Sequence, residues 1–243
     1  VLTTLFVLGA ISALMGTLWK LMQSDIKRML ACSTMAQMGF MMMQCGLGLF
    51  AAAIAHLCWH GCFKAYLFLT SGSAVAQKKT ALEVNHSGLL PLLLSLSGGF
   101  AAMSSFAYIT QKNPMVIEAY TLTLFFAFIA GAQLMLSLLQ QRIALPQLLM
   151  GMMMACFGGL MYGCSVHLIE WLLPQWAVAQ TMAFTPIHAV ILTLFALLWV
   201  VFNLGYHQKL AKTSLGARLY MGMLNASQPS PKTITAVRTQ YDY

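Results

Sequence analysis

Acidic side chains are nearly missing from this chain of 243 residues: 5 Asp and Glu stand against 13 Lys and Arg, and charged residues of both signs make up only 7%. A soluble domain carries roughly 25% charged residues, so the chain lacks the groups needed to cover a globular surface. A cytosolic enzyme, a nucleic-acid binder and a disordered chain are excluded on that ground, since 60% of the residues are hydrophobic. A disulfide framework is also lacking. Cys32, Cys45, Cys58, Cys62, Cys156 and Cys164 all fall in apolar stretches and read as small buried hydrophobes. No basic segment or small-residue cleavage site precedes the first apolar run, which opens at Val1. The expectation is therefore no signal peptide and a chain cut from a longer one. The apolar runs that are present measure roughly 20 residues rather than about 10, which points to an all-α, polytopic membrane helix bundle.

Seven stretches are long enough to cross the hydrocarbon: 2–22, 29–45, 50–77, 89–109, 118–139, 146–166 and 187–206. The third is too long for one straight helix and is expected to tilt or break. The sixth has the least defined end, because the amphipathic stretch 167–184 suits the membrane interface. This divides the chain into a transmembrane bundle over 1–207 and a basic tail over 208–243. Alternate loops then receive very different charge. Lys27, Arg28, Lys78, Lys79, Arg142, Lys209, Lys212, Arg218, Lys232 and Arg238 fall on one side, and Lys112 alone on the other. By the positive-inside rule the cationic side is cytoplasmic, with the N-terminus outside and the C-terminus inside a cell (inner) membrane. Lys20 is close enough to a span end to snorkel, whereas Lys64 is placed mid-way along the third span.

Lys64 belongs to the segment His56-Leu-Cys-Trp-His60-Gly-Cys-Phe-Lys64. Each step of four advances about 40° around a helix, so the three titratable groups form one stripe about 80° wide that climbs roughly 12 Å. Ionisable groups inside a span are costly and face a polar interior or a pathway. Linked by water, two imidazoles and an amine can pass a proton along the helix. A metal site is disfavoured, because Cys58 and Cys62 point about 200–240° from His56 and a cationic Lys shares the stripe. Interhelical hydrogen bonding alone accounts for one buried His more readily than for three groups in register.

Other candidates are weaker. Asp25 is expected to cap the second helix, a role open also to Ser24, with Lys27 and Arg28 as interface anchors. Ser33 and Gln37, four residues apart, give that helix a polar face that either bonds a neighbouring helix or lines the same hydrated path. Lys112 and Glu118 bracket a loop containing Pro114, and a helix broken there would be another path lining. Met41–Met43 and Met152–Met154 invite a copper reading. Consecutive residues point around a helix, however, so they are packing or lipid-facing groups.

Together these residues resemble a known family. Asp25-Ile-Lys-Arg-Met-Leu-Ala-Cys-Ser-Thr-Met-Ala-Gln-Met-Gly-Phe40, followed by His56, His60, Lys64 and Phe68-Leu-Thr-Ser-Gly-Ser73, resembles the antiporter-like subunits of respiratory complex I (its chain 5) and of Mrp-type cation/proton antiporters. The likeness covers about residues 20–77. It implies that His56, His60 and Lys64 belong to a central hydrophilic axis used in proton transfer. The short basic ending, Leu219-Tyr-Met-Gly-Met-Leu-Asn-Ala-Ser-Gln-Pro, is similar to that of the membrane subunits of DabA–DabB inorganic carbon transporters. That likeness implies a cation-conducting subunit, with the proton as the expected cation. It would use an ion gradient to accumulate inorganic carbon with a soluble, zinc-containing DabA-type partner at the cytoplasmic face. It also implies an N-terminal half not contained in this sequence. The subunit would be a transporter component rather than an enzyme, embedded in membrane lipid, with no nucleic acid, metal or cofactor of its own. The alternatives are a proton-pumping subunit of an NADH-quinone oxidoreductase or Mrp antiporter and, in another class, a passive membrane anchor for a soluble enzyme.

Overall fold

The structure is a computed structural model that describes residues 1–23, 25–71, 88–140, 143–175, 181–205 and 213–227. It is helical throughout the described residues: α1 (Leu2–Met22), α2 (Ile26–Gly46), α3 (Phe50–Thr70), α4 (Leu89–Thr110), α5 (Thr121–Leu139), α6 (Leu145–Leu172), α7 (Pro186–Asn203) and α8 (Ser214–Ala226). Each of the seven expected spans thus contains a helix among its described residues. Among the described residues, α1, α4, α5, α6 and α7 are long and apolar enough to cross a membrane by themselves. The remaining two, α2 and α3, have 21 residues each. They carry the polar groups of the expected path, and so differ from the rest in composition rather than in length. The chain is a multi-pass membrane protein.

Local chemistry sets the helix ends. Asp25 is the N-cap of α2 and its carboxylate accepts the backbone N–H of Arg28 at 3.0 Å. That hydrogen bond holds the Asp25 carboxyl below the usual carboxylate range. A carboxyl depressed in the folded state stabilises above its unfolded pKa, and the contribution is lost as pH falls through the folded value. Asp25→Ala should therefore lower the melting temperature modestly at neutral pH, a difference that closes in acid. α4 stops where Gln111 turns left-handed (φ 54°) ahead of Pro114. Helix α6 departs from expectation. It continues to Leu172, past the boundary at Val166, and so takes in the first part, 167–172, of the stretch assigned to the interface. Leu, Ile and Glu are good helix formers, and nothing stops the helix until the backbone restriction imposed before Pro174.

Packing divides the bundle into two parts. In one, α1 and α2 lie backbone against backbone. A Cβ on Gly9 would fall 2.6 Å from the Gly39 carbonyl oxygen, and one on Gly16 would fall 2.5 Å from the Ala36 nitrogen. In the other, α4, α5 and α6 meet through Gly98, Gly131 and Gly159 in the same way. Helix α3 lies between α2 and α6.

Contacts sort the turns to two ends. At one end, here the near end, Gln23 after α1 donates through Nε2 to Ser227 Oγ after α8 at 2.8 Å. At the far end the Met182 N–H reaches the Leu47 carbonyl at 3.0 Å, Tyr120 Oη donates to Glu170 Oε1 at 2.6 Å, and Phe6 meets His188 edge-on at 4.4 Å. This is the alternation that seven crossings require. Of the cations used to orient the chain, Lys78, Lys79, Arg142, Lys209, Lys212, Lys232 and Arg238 lie outside the described residues. So do Ser24, residues 72–77 of the expected third span and the tail beyond residue 227.

Candidate proton-path site

Helix α3 is two-faced. His60 and Lys64 are 8% and 7% exposed, and His56 is half-buried. Leu57, Trp59, Phe63 and Tyr66, interleaved with them along the helix, are between 48% and 63% exposed. The titratable stripe therefore turns into the bundle, and apolar bulk turns out. Cys58 and Cys62 lie on the exposed side, away from the histidines.

The stripe makes contact at each level. Lys64 Nζ donates to the Leu30 carbonyl of α2 at 3.2 Å, an oxygen that also accepts the Thr34 hydroxyl at 3.0 Å. This places Lys64 level with the second turn of α2, closer to the near end than the mid-span position expected for it. His60 is one turn further along, its ring centroid 6.1 Å from that of His56, and His60 Nε2 is buried without a hydrogen-bond partner. The His56 ring packs 5.0 Å from Phe40 of α2. A 6.1 Å separation between rings leaves room for a bridging water but not for a direct bond.

His56 opens onto a cavity of about 610 Å³ between the two halves of the bundle. Its wall is mostly apolar, with Thr17, Gln37, Thr123, Gln133 and Tyr162 as polar points and His56 as its one imidazole. Gln37 of α2 thus lines the same cavity as His56. Ser33 is half-buried on the same helix but does not line the cavity. Neither Lys112 nor Glu118 lines the cavity. Both belong to the far-end loop, where Lys112 Nζ lies 4.0 Å above the Tyr120 ring centroid and Glu118 is exposed. Lys27 and Arg28 are exposed at the near end.

Two functional candidates escape a reading of the sequence. Gln44, fully buried on α2, donates through Nε2 to Tyr162 Oη at 3.1 Å, and Tyr162 donates to the Ala52 carbonyl of α3 at 3.0 Å. A lone Gln and a lone Tyr in apolar helices carry no periodic signal, and only the approach of α2, α3 and α6 joins them.

The sequence has relatives of known type. Residues 1–93 match the family described as NADH:quinone oxidoreductase/Mrp antiporter, transmembrane. A probable inorganic carbon transporter subunit DabB1 of Halothiobacillus neapolitanus is 49% identical over 94 residues, 39% of this chain and 17% of the relative. The probable inorganic carbon transporter subunit DabB of Bacillus anthracis is 39% identical over 120 residues, 49% of this chain and 24% of the relative. NADH-quinone oxidoreductase subunit L of Buchnera aphidicola is 40% identical over 108 residues, 42% of this chain and 18% of the relative. The matches thus span less than a quarter of each of these relatives. Residues 1–93, which contain the whole of the His56–His60–Lys64 ridge, are antiporter-like in sequence, of the kind found in DabB and in subunit L of NADH-quinone oxidoreductase.

Proposed function

We propose that the chain moves protons along the His56–His60–Lys64 ridge as part of the membrane subunit of an energy-coupled inorganic carbon transporter, working with a soluble DabA-type partner. The carrying observation is that all three groups turn inward on one face of α3 at helical spacing, His60 and Lys64 buried and His56 opening onto a cavity it shares with Gln37. Membrane burial of an amine is expensive. A passive anchor gains nothing from that expense, whereas a relay needs groups that exchange protons near neutral pH. The partner and the cargo come from the DabB relatives. In this reading the near end faces the cytoplasm, because the exposed cations Lys27, Arg28 and Arg218 are all found there.

A redox-linked pump is the second reading, favoured by the 40% identity to subunit L. Affinity purification of the full-length protein separates the two. A co-purifying soluble zinc protein, with uptake of labelled inorganic carbon abolished by a protonophore, supports the carbon transporter. Co-purifying quinone-reductase subunits would replace it.

A further inference from the structure

Six buried polar atoms have no hydrogen-bond partner among the described residues. One of them, His60 Nε2, is on the ridge, and three more, Thr123 Oγ1, Gln44 Oε1 and His188 Nε2, lie towards the far end. Buried polar groups left unpaired in protein are ordinarily satisfied by internal water where the space is polar and large enough. Thr123 is on the cavity wall, and Tyr162 stands between that cavity and Gln44. Beyond Gln44 the way is shut by Phe6, Leu47 and Leu49, each at most 2% exposed. An open cavity with polar points on one side of the Gln44–Tyr162 pair and a packed apolar seal on the other is the arrangement of a closed gate.

The pair also acts on the ridge itself. The Ala52 carbonyl that accepts from Tyr162 lies one helical turn before His56. The hydroxyl therefore fixes the turn of α3 that carries the imidazole. Tyr162 is held from the other side by its ring, stacked on Phe106 at 5.5 Å and 24°. His56 and Tyr162 are the titratable side chains of the cavity wall. His60 and Lys64 follow on α3, and the wall residues of α1, α2, α4, α5 and α7 bring no acid, amine or imidazole.

We propose that Gln44 and Tyr162 form a far-end latch of the proton path, orienting cavity water against His56 and breaking their mutual hydrogen bond when the path opens towards the α2–α3 turn. The proposal rests on the proton-transfer reading of the ridge. In each passage His56 takes a proton from cavity water on one ring nitrogen and gives one up from the other towards His60. Tyr162 and Gln44 keep their own protons, so both are positioning residues.

The test compares Tyr162→Phe, Gln44→Leu and Lys64→Ala in the full-length protein with its partner, following gradient-driven uptake from acid to alkaline pH. Tyr162→Phe retains the ring stack, and Gln44→Leu removes the amide at nearly equal volume, so each can stand in if the other fails to reach the membrane. The expected result is a roughly five- to tenfold slower uptake, the size of one lost hydrogen bond, together with a displaced pH profile at unchanged protein level. If both variants transport at the parental rate and profile while Lys64→Ala is dead, the latch is wrong and the ridge reading stands. A uniform loss without a displaced profile marks a merely structural pair and also overturns the latch. If Lys64→Ala transports normally, the ridge reading itself fails.

Discussion

Lys64→Ala in the full-length protein should lower proton-coupled uptake by about a hundredfold or more, the scale on which a positioned acid–base group contributes, with little change in the amount of protein in the membrane. The separation of the two effects follows from the contacts. Among the described residues Lys64 Nζ has one hydrogen bond, to the Leu30 carbonyl, and that oxygen keeps its bond from Thr34 Oγ1 when the amine is gone. No buried acceptor is orphaned, and removing an amine from a nearly dry site relieves a desolvation cost. On the proposed relay the amine is needed for proton transfer and not for packing, so activity and protein level should separate. Lys64→Arg sharpens the case. Guanidinium preserves the positive charge and can still donate to Leu30, but it does not release a proton at any physiological pH. A lysine acting only as a fixed charge would tolerate arginine, so full uptake by Lys64→Arg would sink the relay. His60→Ala should behave like Lys64→Ala for a related reason: it opens the middle of the ridge, leaving His56 and Lys64 two turns, roughly 12 Å, apart along the helix. Uptake of labelled inorganic carbon, measured beside immunoblots of the membrane fraction, reads both outcomes.

How much of this was legible in the sequence depended on whether a feature was periodic. The ridge was legible because steps of four residues place His56, His60 and Lys64 on one face whatever the rest of the bundle does, and the structure turns that face inward. The spans were legible for a similar reason, since an apolar run of membrane length has few alternatives to a helix. Boundaries failed where hydropathy and helix propensity disagree. The drop in apolarity after Val166 suggested an end, but the backbone follows propensity and continues to Leu172, and Pro174 was the better signal. Lys112 and Glu118 were drawn towards the path by analogy with broken helices. In the structure α4 ends with Gln111 as its C-cap, and Lys112 has the Tyr120 ring beside it and does not line the cavity. Gln44 and Tyr162 were illegible for the opposite reason. Each is a single polar residue, 118 positions from the other, and nothing local tells a buried hydrogen bond from a tolerated polar side chain in a span.

Gly39→Leu should remove the folded protein from the membrane, whereas Gly61→Leu should leave it at the parental level. A Cβ on Gly39 would fall 2.5 Å from the Ala13 nitrogen and 2.6 Å from the Gly9 carbonyl oxygen, so it would strike backbone and not the end of a movable side chain. No rotamer relieves such a clash, and α1 and α2 must separate. Overpacking a core costs about 1–3 kcal/mol where side chains can adjust, and a backbone collision lies at or above the top of that range. The consequence reaches the ridge, because α2 carries the Leu30 carbonyl under Lys64, Gln37 on the cavity wall and Phe40 against His56. Gly61 is the control on the ridge helix itself. It lies on the exposed side of α3 with no atom within 4 Å of its would-be Cβ, so added bulk meets no neighbour and the change even raises helix propensity. Size-exclusion profiles of fluorescently tagged protein in detergent, with melting temperatures, distinguish the two. Should Gly39→Leu keep the parental profile and melting point, α1 and α2 do not meet through their glycines, and the position of α2 beneath the ridge would have to be redrawn.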